Sequence, residues 1–140
     1  MSNPLNSVLI EGNMVRSPLF RTTQKGTKVC NFTIASTRYY RNDDGMEKEV
    51  CFFDVEAWAK LADICYDKGR KGRSVRVVGR LKQDRWTGSD GKPHFTVSIV
   101  AEHIEYRGQV DNPPNEELEE EATKEVDETS AMLDYEEIEE

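Results

Sequence analysis

The stretch RSVRVVGRLKQDRW, residues 73–86, alternates between two kinds of side chain with the period of a β-strand. One parity is apolar or small and suits the interior of a barrel: Val75, Val77, Gly79 and Leu81. The other parity is basic along most of its length and ends in a tryptophan: Arg76, Val78, Arg80, Lys82, Asp84 and Trp86. The stretch therefore predicts a strand with one face in a core and one basic, aromatic face outside it.

Strand patterns of the same kind extend in both directions from this stretch. They cover residues 7–13, 28–40, 47–55 and 95–106, with a short extended piece at 19–23 and hairpin signals at Asn42-Asp43-Asp44-Gly45 and Ser89-Asp90-Gly91. Between residues 57 and 68, AWAKLADICYDK has helical spacing, and Gly69 follows as a C-terminal cap. The order of three strands, a short helix and two strands predicts an all-β fold, a five-stranded OB-fold barrel with one helix. Other small β-barrels share this order.

Charge divides the chain into two parts of opposite sign. The net charge is −8, but residues 1–110 contain 18 Lys/Arg and 13 Asp/Glu, a net charge of +5. Residues 111–140 contain one Lys and 14 Asp/Glu, a net charge of −13. The glutamates repel one another, and the segment has too little apolar surface to offset the entropy of ordering. We predict an OB-fold domain at residues 1–109 and a disordered acidic tail at 110–140.

Several large aromatic side chains lie on the polar-facing parity of their strands or beside arginines: Tyr40, Phe52, Trp58 and Trp86. Basic residues lie beside Tyr40, in the loop before residue 73 and along residues 73–86: Arg38, Arg70, Lys71, Arg73, Arg76, Arg80, Lys82 and Arg85. Aromatic rings that stack on bases and cations that contact phosphates together bind single-stranded nucleic acid. Trp58 and Trp86 are stronger candidates than Phe52, because a phenylalanine here is also suited to a subunit interface.

The sequence contains few other residues that could form a metal site, a catalytic site or a membrane span. The three cysteines form no C-x-x-C pair, and the two histidines are isolated, so we expect no metal and no cofactor. We find no nucleophile elbow, phosphate-binding glycine loop or catalytic triad, and we expect no enzyme. No apolar stretch is long enough to cross a bilayer, and no secretory signal begins the chain, so we expect a cytoplasmic protein with no membrane partner.

From residue 6 to residue 106 the sequence resembles the bacterial single-stranded DNA-binding proteins. The matching stretches are VLIEGNMVRSP, GTKVCNFTIASTR, FFDVEAWAKLAD, RKGRSVRVVGRLKQDRW and TVSIVAEHIE, in the family's order and spacing. The resemblance implies an OB fold, a homotetramer and the binding of single-stranded DNA in replication, recombination and repair, in association with the nucleoid. The family's four stacking positions fall on Tyr40, Phe52, Trp58 and Trp86. Its phosphate-contacting surface fits Arg70, Lys71, Arg80, Lys82 and Arg85.

The tail resembles the family only in part. Family tails end in an acidic peptide with a Pro-Phe terminus that docks on replication and repair proteins, whereas this chain ends in LDYEEIEE. The terminal aromatic residue is missing. A partner-binding role would therefore fall on the acidic residues and the two apolar anchors among them: Asp134, Tyr135, Glu136, Glu137 and Ile138.

Two other functions compete with DNA binding. An OB barrel can serve as a protein-binding scaffold in a replication assembly, and its weak DNA binding would then survive the loss of both tryptophans. An enzyme is the weaker alternative, since no catalytic motif is present.

Overall fold

The computed structural model describes residues 2–108. The elements follow in the order β1 (Val8–Met14), β2 (Leu19–Thr22), β3 (Lys28–Asn42), β4 (Gly45–Trp58), α1 (Lys60–Lys68), β5 (Ser74–Thr87) and β6 (Pro93–Arg107). Strands β1, β5, β6, β4 and β3 are neighbours in that order, and β3 pairs again with β1, which closes a five-stranded barrel. The short strand β2 pairs only with β3, and β4 runs parallel to β6. The predicted OB-fold barrel with one helix is confirmed.

The core follows from strand alternation. The inward side chains include Ile34, Val55, Val75, Val77 and Ile99, each at most 2% exposed. Burial of such a side chain contributes about 1.5–3 kcal/mol, so these few residues supply much of the driving force for closure. Gly79 lies at the β-bulge where β5 passes β6 most closely, since a Cβ there would lie 2.3 Å from the Val100 carbonyl oxygen.

Helix α1 covers one end of the barrel with Ala62 and Cys65, which are fully buried. It begins later than the predicted residue 57, because β4 continues through Trp58 and Ala59 reverses the chain with φ of 55°. Gly69 ends the helix as predicted. Its φ of −79° is not left-handed, so glycine is not required there for its backbone conformation. A Cβ at Gly69 would lie 2.6 Å from the Cys65 carbonyl oxygen, so close packing requires glycine there.

Two hairpin arms extend beyond the closed barrel. The β3–β4 arm continues to the Asn42–Gly45 turn, and the β5–β6 arm continues to the Thr87–Pro93 turn. The prediction that Leu81 lies in the interior is wrong, since its side chain is 46% exposed. Strand β1, which closes the barrel over β5, pairs no further along β5 than Gly79, so Leu81 lies on the arm. Alternation identifies the face of a strand but not where the barrel ends.

The helix of the described region is too short and too polar to cross a membrane. The predicted acidic tail, with its candidate residues 134–138, lies outside the described residues.

Candidate nucleic-acid interface

The outward side chains of β3, β4, β6 and β5 form one continuous surface, which we call the outer face. On β4 it carries Phe52, Asp54, Glu56 and Trp58, which alternate with the fully buried Val55 and Ala57. On the β5–β6 pair it carries Arg80, Lys82, Asp84 and Trp86 opposite Val100, Ser98, Thr96 and His94. The parallel pairing of Glu56 with Val100 joins the two halves. Three of the four predicted stacking residues therefore share this face.

Trp58 is held by a group of side chains that we call the Glu56 network. The Trp58 Nε1–H donates to Glu56 Oε2 at 3.1 Å. Lys82 Nζ donates to the same oxygen at 3.5 Å and lies 6.0 Å from the centroid of the Trp58 ring. Ser98 Oγ donates to Glu56 Oε1 at 3.5 Å. A half-buried indole with its polar atom satisfied is a rigid platform for stacking.

Trp86 lies toward the tip of the β5–β6 arm and stacks on His94. Their ring centroids are 5.7 Å apart and the ring planes differ by 23°. The Trp86 side chain is 48% exposed, which leaves much of the ring surface open. His94 Nε2 also lies 3.3 Å from Asp90 Oδ1, which ties the stacked pair to the turn.

Phe52 shares the outer face and is half-buried, because it packs against the small cluster of Val15 and Ala35. Tyr40 lies elsewhere. The unbroken register from Val29↔Trp58 to Asn42↔Gly45 places Tyr40 on the opposite face of the β3–β4 arm from Phe52. There the Arg38 guanidinium lies 4.8 Å from the Tyr40 ring centroid and Arg38 Nε lies 3.6 Å from Glu49 Oε1.

The candidate cations fall in different places. Arg80 is exposed on the outer face. Arg70 and Lys71 are exposed in the loop between α1 and β5. Arg85 lies on the opposite face of β5, where its Nε–H donates to Gln83 Oε1 at 2.9 Å. Lys82 is shared between Glu56 and Asp84.

Two further candidates, Arg73 and Arg76, lie near the start of β5 and already contact other side chains of the protein. The Arg73 side chain is 7% exposed, and its guanidinium lies 5.9 Å from the centroid of the Tyr106 ring. Burial, together with the nearby Arg70, lowers the pKa of Arg73. Arg76 pairs with Glu11 at 3.4 Å and Glu105 at 3.7 Å. Arg73 is therefore buried away from the aromatic residues, whereas Arg76 is on the outward parity of β5, at the opposite end of the strand from Trp86, and is paired with carboxylates.

The outer face is less basic than the alternation of β5 alone indicates. Asp54 and Glu56 on β4 lie on the same face as Arg80 and Lys82, and Asp84 adds a third carboxylate. Parity places Asp54 and Glu56 on the polar side of β4, but the order of strands that brings them onto one face with the basic residues of β5 is not visible in the sequence. Sequence reasoning missed His94, although the Ser89-Asp90-Gly91 turn signal places residue 94 opposite residue 86 in the hairpin.

Three ionisable side chains lie between α1 and the barrel wall and take no part in the outer face. Burial, with a smaller effect of the neighbouring Cys65, raises the pKa of Cys30 to about 12. Burial also raises the pKa of Cys65 and of the Tyr106 hydroxyl. All three groups are therefore neutral near pH 7. Within residues 2–108, no group of three His, Cys, Asp or Glu side chains is arranged to hold a metal ion.

Comparison with known proteins agrees with this geometry. The family model described as "Single-strand binding protein family" matches residues 5–107. Single-stranded DNA-binding protein 2 of Chlorobaculum tepidum is 40% identical over 104 residues, which cover 73% of this chain and 70% of that protein. The single-stranded DNA-binding protein of Aquifex aeolicus is 37% identical over 123 residues, which cover 87% of this chain and 81% of that protein.

A solved structure shares the fold. The structure titled "Plasmodium falciparum SSB complex with ssDNA" superposes with a TM-score of 0.70 at 20% identity, and covers 77% of this chain and 99% of the other. The barrel, the extent of the family match and the identity to two bacterial relatives lead to one conclusion. The chain belongs to the single-strand binding protein family.

Proposed function

We propose that this protein binds single-stranded DNA without sequence preference and protects it during replication, recombination and repair. The observation that carries the proposal is the outer face, on which Trp58 and Trp86 are fixed by side-chain partners while their rings stay partly open. Membership of the single-strand binding protein family supports it. Stacking on an aromatic ring is worth about 1–3 kcal/mol per base and does not select sequence, since every base has a π face.

The proposed contacts divide by chemistry. Bases stack on Trp58 and Trp86 and on the exposed parts of Phe52 and Tyr40. Phosphates contact the accessible cations: Arg38, Arg70, Lys71, Arg80 and Arg85, with Lys82 restrained by its carboxylate partners. Because Tyr40 and Arg38 lie on the opposite face of the β3–β4 arm, a strand that reaches them must pass around that arm. We leave Arg73 and Arg76 out of the proposed phosphate contacts, because the Arg73 side chain is buried and Arg76 pairs with both Glu11 and Glu105.

We further propose that the chain assembles with itself, as a homotetramer, through apolar side chains that the single barrel leaves uncovered. Leu9 is 73% exposed, Phe95 is 64% exposed and Val97 is 50% exposed. Phe95 and Val97 lie two residues apart on one face of β6, and contiguous exposed apolar side chains are typical of interaction surfaces. Residues 134–138 are the proposed docking segment for replication and repair proteins. We also propose that the protein acts in the bacterial cytoplasm, at the nucleoid, where single-stranded DNA would be its ligand.

The proposed function is that of a binding protein and not an enzyme. Its test is competition for a fluorescein-labelled 35-nucleotide dT strand by unlabelled dT, a mixed-sequence strand and duplex DNA of equal length. We expect both single strands to compete within a few-fold of each other, and the duplex to compete far more weakly. Equal competition by duplex and single strand would refute the proposal.

A further inference from the structure

Glu56 is an acidic side chain in the middle of a surface that we propose to bind a polyanion. Both of its carboxylate oxygens have donors: Oε2 accepts from Trp58 Nε1 and Lys82 Nζ, and Oε1 accepts from Ser98 Oγ. The side chain is 16% exposed, so its charge is partly removed from water. A carboxylate that meets three donors at such a site is held in one position.

Lys82 is the cation that Glu56 restrains. Its ammonium lies 3.5 Å from Glu56 Oε2, 3.5 Å from Asp84 Oδ1 and 6.0 Å from the centroid of the Trp58 ring. The Asp84 side chain is 49% exposed, so its attraction is screened by water. The more buried Glu56 therefore dominates the position of Lys82.

We propose that Glu56 is a positioning residue with two effects: it fixes the indole of Trp58 for stacking and it withholds Lys82 from the phosphates of the bound strand. This inference rests on the proposed function and adds to it a residue that restrains affinity. The indole N–H needs an acceptor, which a neutral amide oxygen also supplies. The Lys82 ammonium is held by the charge of the Glu56 carboxylate, which a neutral amide at position 56 does not supply. The two effects can therefore be separated by substitution.

The test compares Glu56→Gln with the wild-type chain in titrations of a 35-nucleotide dT strand between 50 and 500 mM NaCl. For single strands, log K falls with log[salt] by about 0.7 for each phosphate that a cation neutralises. The release of Lys82 in E56Q should make this slope steeper by about 0.7, so that affinity falls about 5-fold more than in the wild type over this tenfold range of salt. At the lowest salt, E56Q should bind more tightly than the wild type.

Asp54→Asn is the matched control. Asp54 lies on the same face of β4, two residues away, and accepts from Thr33 Oγ1 at 2.7 Å. D54N removes the same charge without releasing Lys82, so it should leave the slope unchanged. In the double variant E56Q/K82Q, the slope should return to the wild-type value. A wild-type slope in E56Q, or a steeper slope that persists in E56Q/K82Q, would overturn the proposal.

The effect of Glu56 on the position of Trp58 is measured separately, by the quenching of Trp58 fluorescence. In a Trp86→Phe background, Trp58 is the remaining tryptophan, and dT binding should quench its fluorescence equally with and without the further substitution E56Q. E56A removes the acceptor of the indole N–H and should reduce that quenching, while the melting temperature reports any loss of fold. Equal quenching in E56A and E56Q would overturn this part. If the wild-type chain itself fails to bind dT, the proposed function fails together with the role of Glu56 that rests on it, whereas failure of that role alone leaves wild-type binding intact.

Discussion

The substitution Trp86→Ala separates an effect on stacking from an effect on folding. The Trp86 side chain is 48% exposed and its ring contact is with His94 on the same arm, outside the closed barrel. Its removal should therefore cost the folded state little. Loss of one stacked base costs about 1–3 kcal/mol, which corresponds to binding of single-stranded DNA that is about 5- to 150-fold weaker.

Fluorescence anisotropy of a labelled dT strand measures the affinity, and thermal unfolding followed by circular dichroism measures the fold. Tyr66→Ala is the matched control, because the Tyr66 side chain is 65% exposed on α1, away from the outer face, and contacts only one described ring, that of Phe20. W86A should bind weakly with a melting temperature near that of the wild type, and Y66A should bind normally. Wild-type affinity in W86A would refute the assignment of a stacking role to this residue.

The remaining predictions concern the barrel and its thiols. Gly79→Ala should destabilise the fold by about 3 kcal/mol and lower the melting temperature by about 12 °C or more, because the added Cβ meets backbone of the next strand at 2.3 Å. Gly26→Ala, at φ of 85° in open space, should cost only about 1–2 kcal/mol, and an equal loss in both variants would contradict the packing argument. A thiol reagent at pH 8 should label the half-buried Cys51 in the folded protein and reach the buried Cys30 and Cys65 only in urea; rapid labelling of all three without urea would contradict their burial. Burial raises the pKa of Cys30 from an ordinary value of 9.0 to about 12, so the unfolded chain loses this proton at a lower pH than the folded chain. The urea midpoint of unfolding should therefore fall as the pH rises from 9 to 12, and a midpoint that rises would contradict the burial of this thiol.

Much of the fold could be predicted from the sequence because strand alternation is a local property. The inward residues of 73–80 and the hairpin turn at Asn42–Gly45 each follow from a few neighbouring residues, and the structure has them as predicted. Leu81 could not be placed in the same way. Its exposure depends on where β1 stops pairing with β5, which is a property of the closed barrel and not of the strand.

In the candidate site, too, the local pattern of a strand could be predicted and the contacts between strands could not. Parity identified Phe52, Trp58 and Trp86 as outward side chains, and they lie on one face. It did not show that Glu56 and Lys82 meet, since β4 and β5 are separated by helix α1 in sequence and by β6 in the sheet. Contacts between side chains from distant strands require the topology, so the restraint on Lys82 became visible only in the structure.

We propose that this chain binds single-stranded DNA by stacking bases on its tryptophans. Titration with poly(dT), followed by the intrinsic fluorescence of Trp58 and Trp86, tests that claim most directly. We expect strong quenching at low salt and an affinity that falls as salt rises, because stacking quenches the indoles and phosphate contacts release counterions. Unchanged tryptophan fluorescence at low salt, with a confirmed concentration of folded protein, would contradict the account.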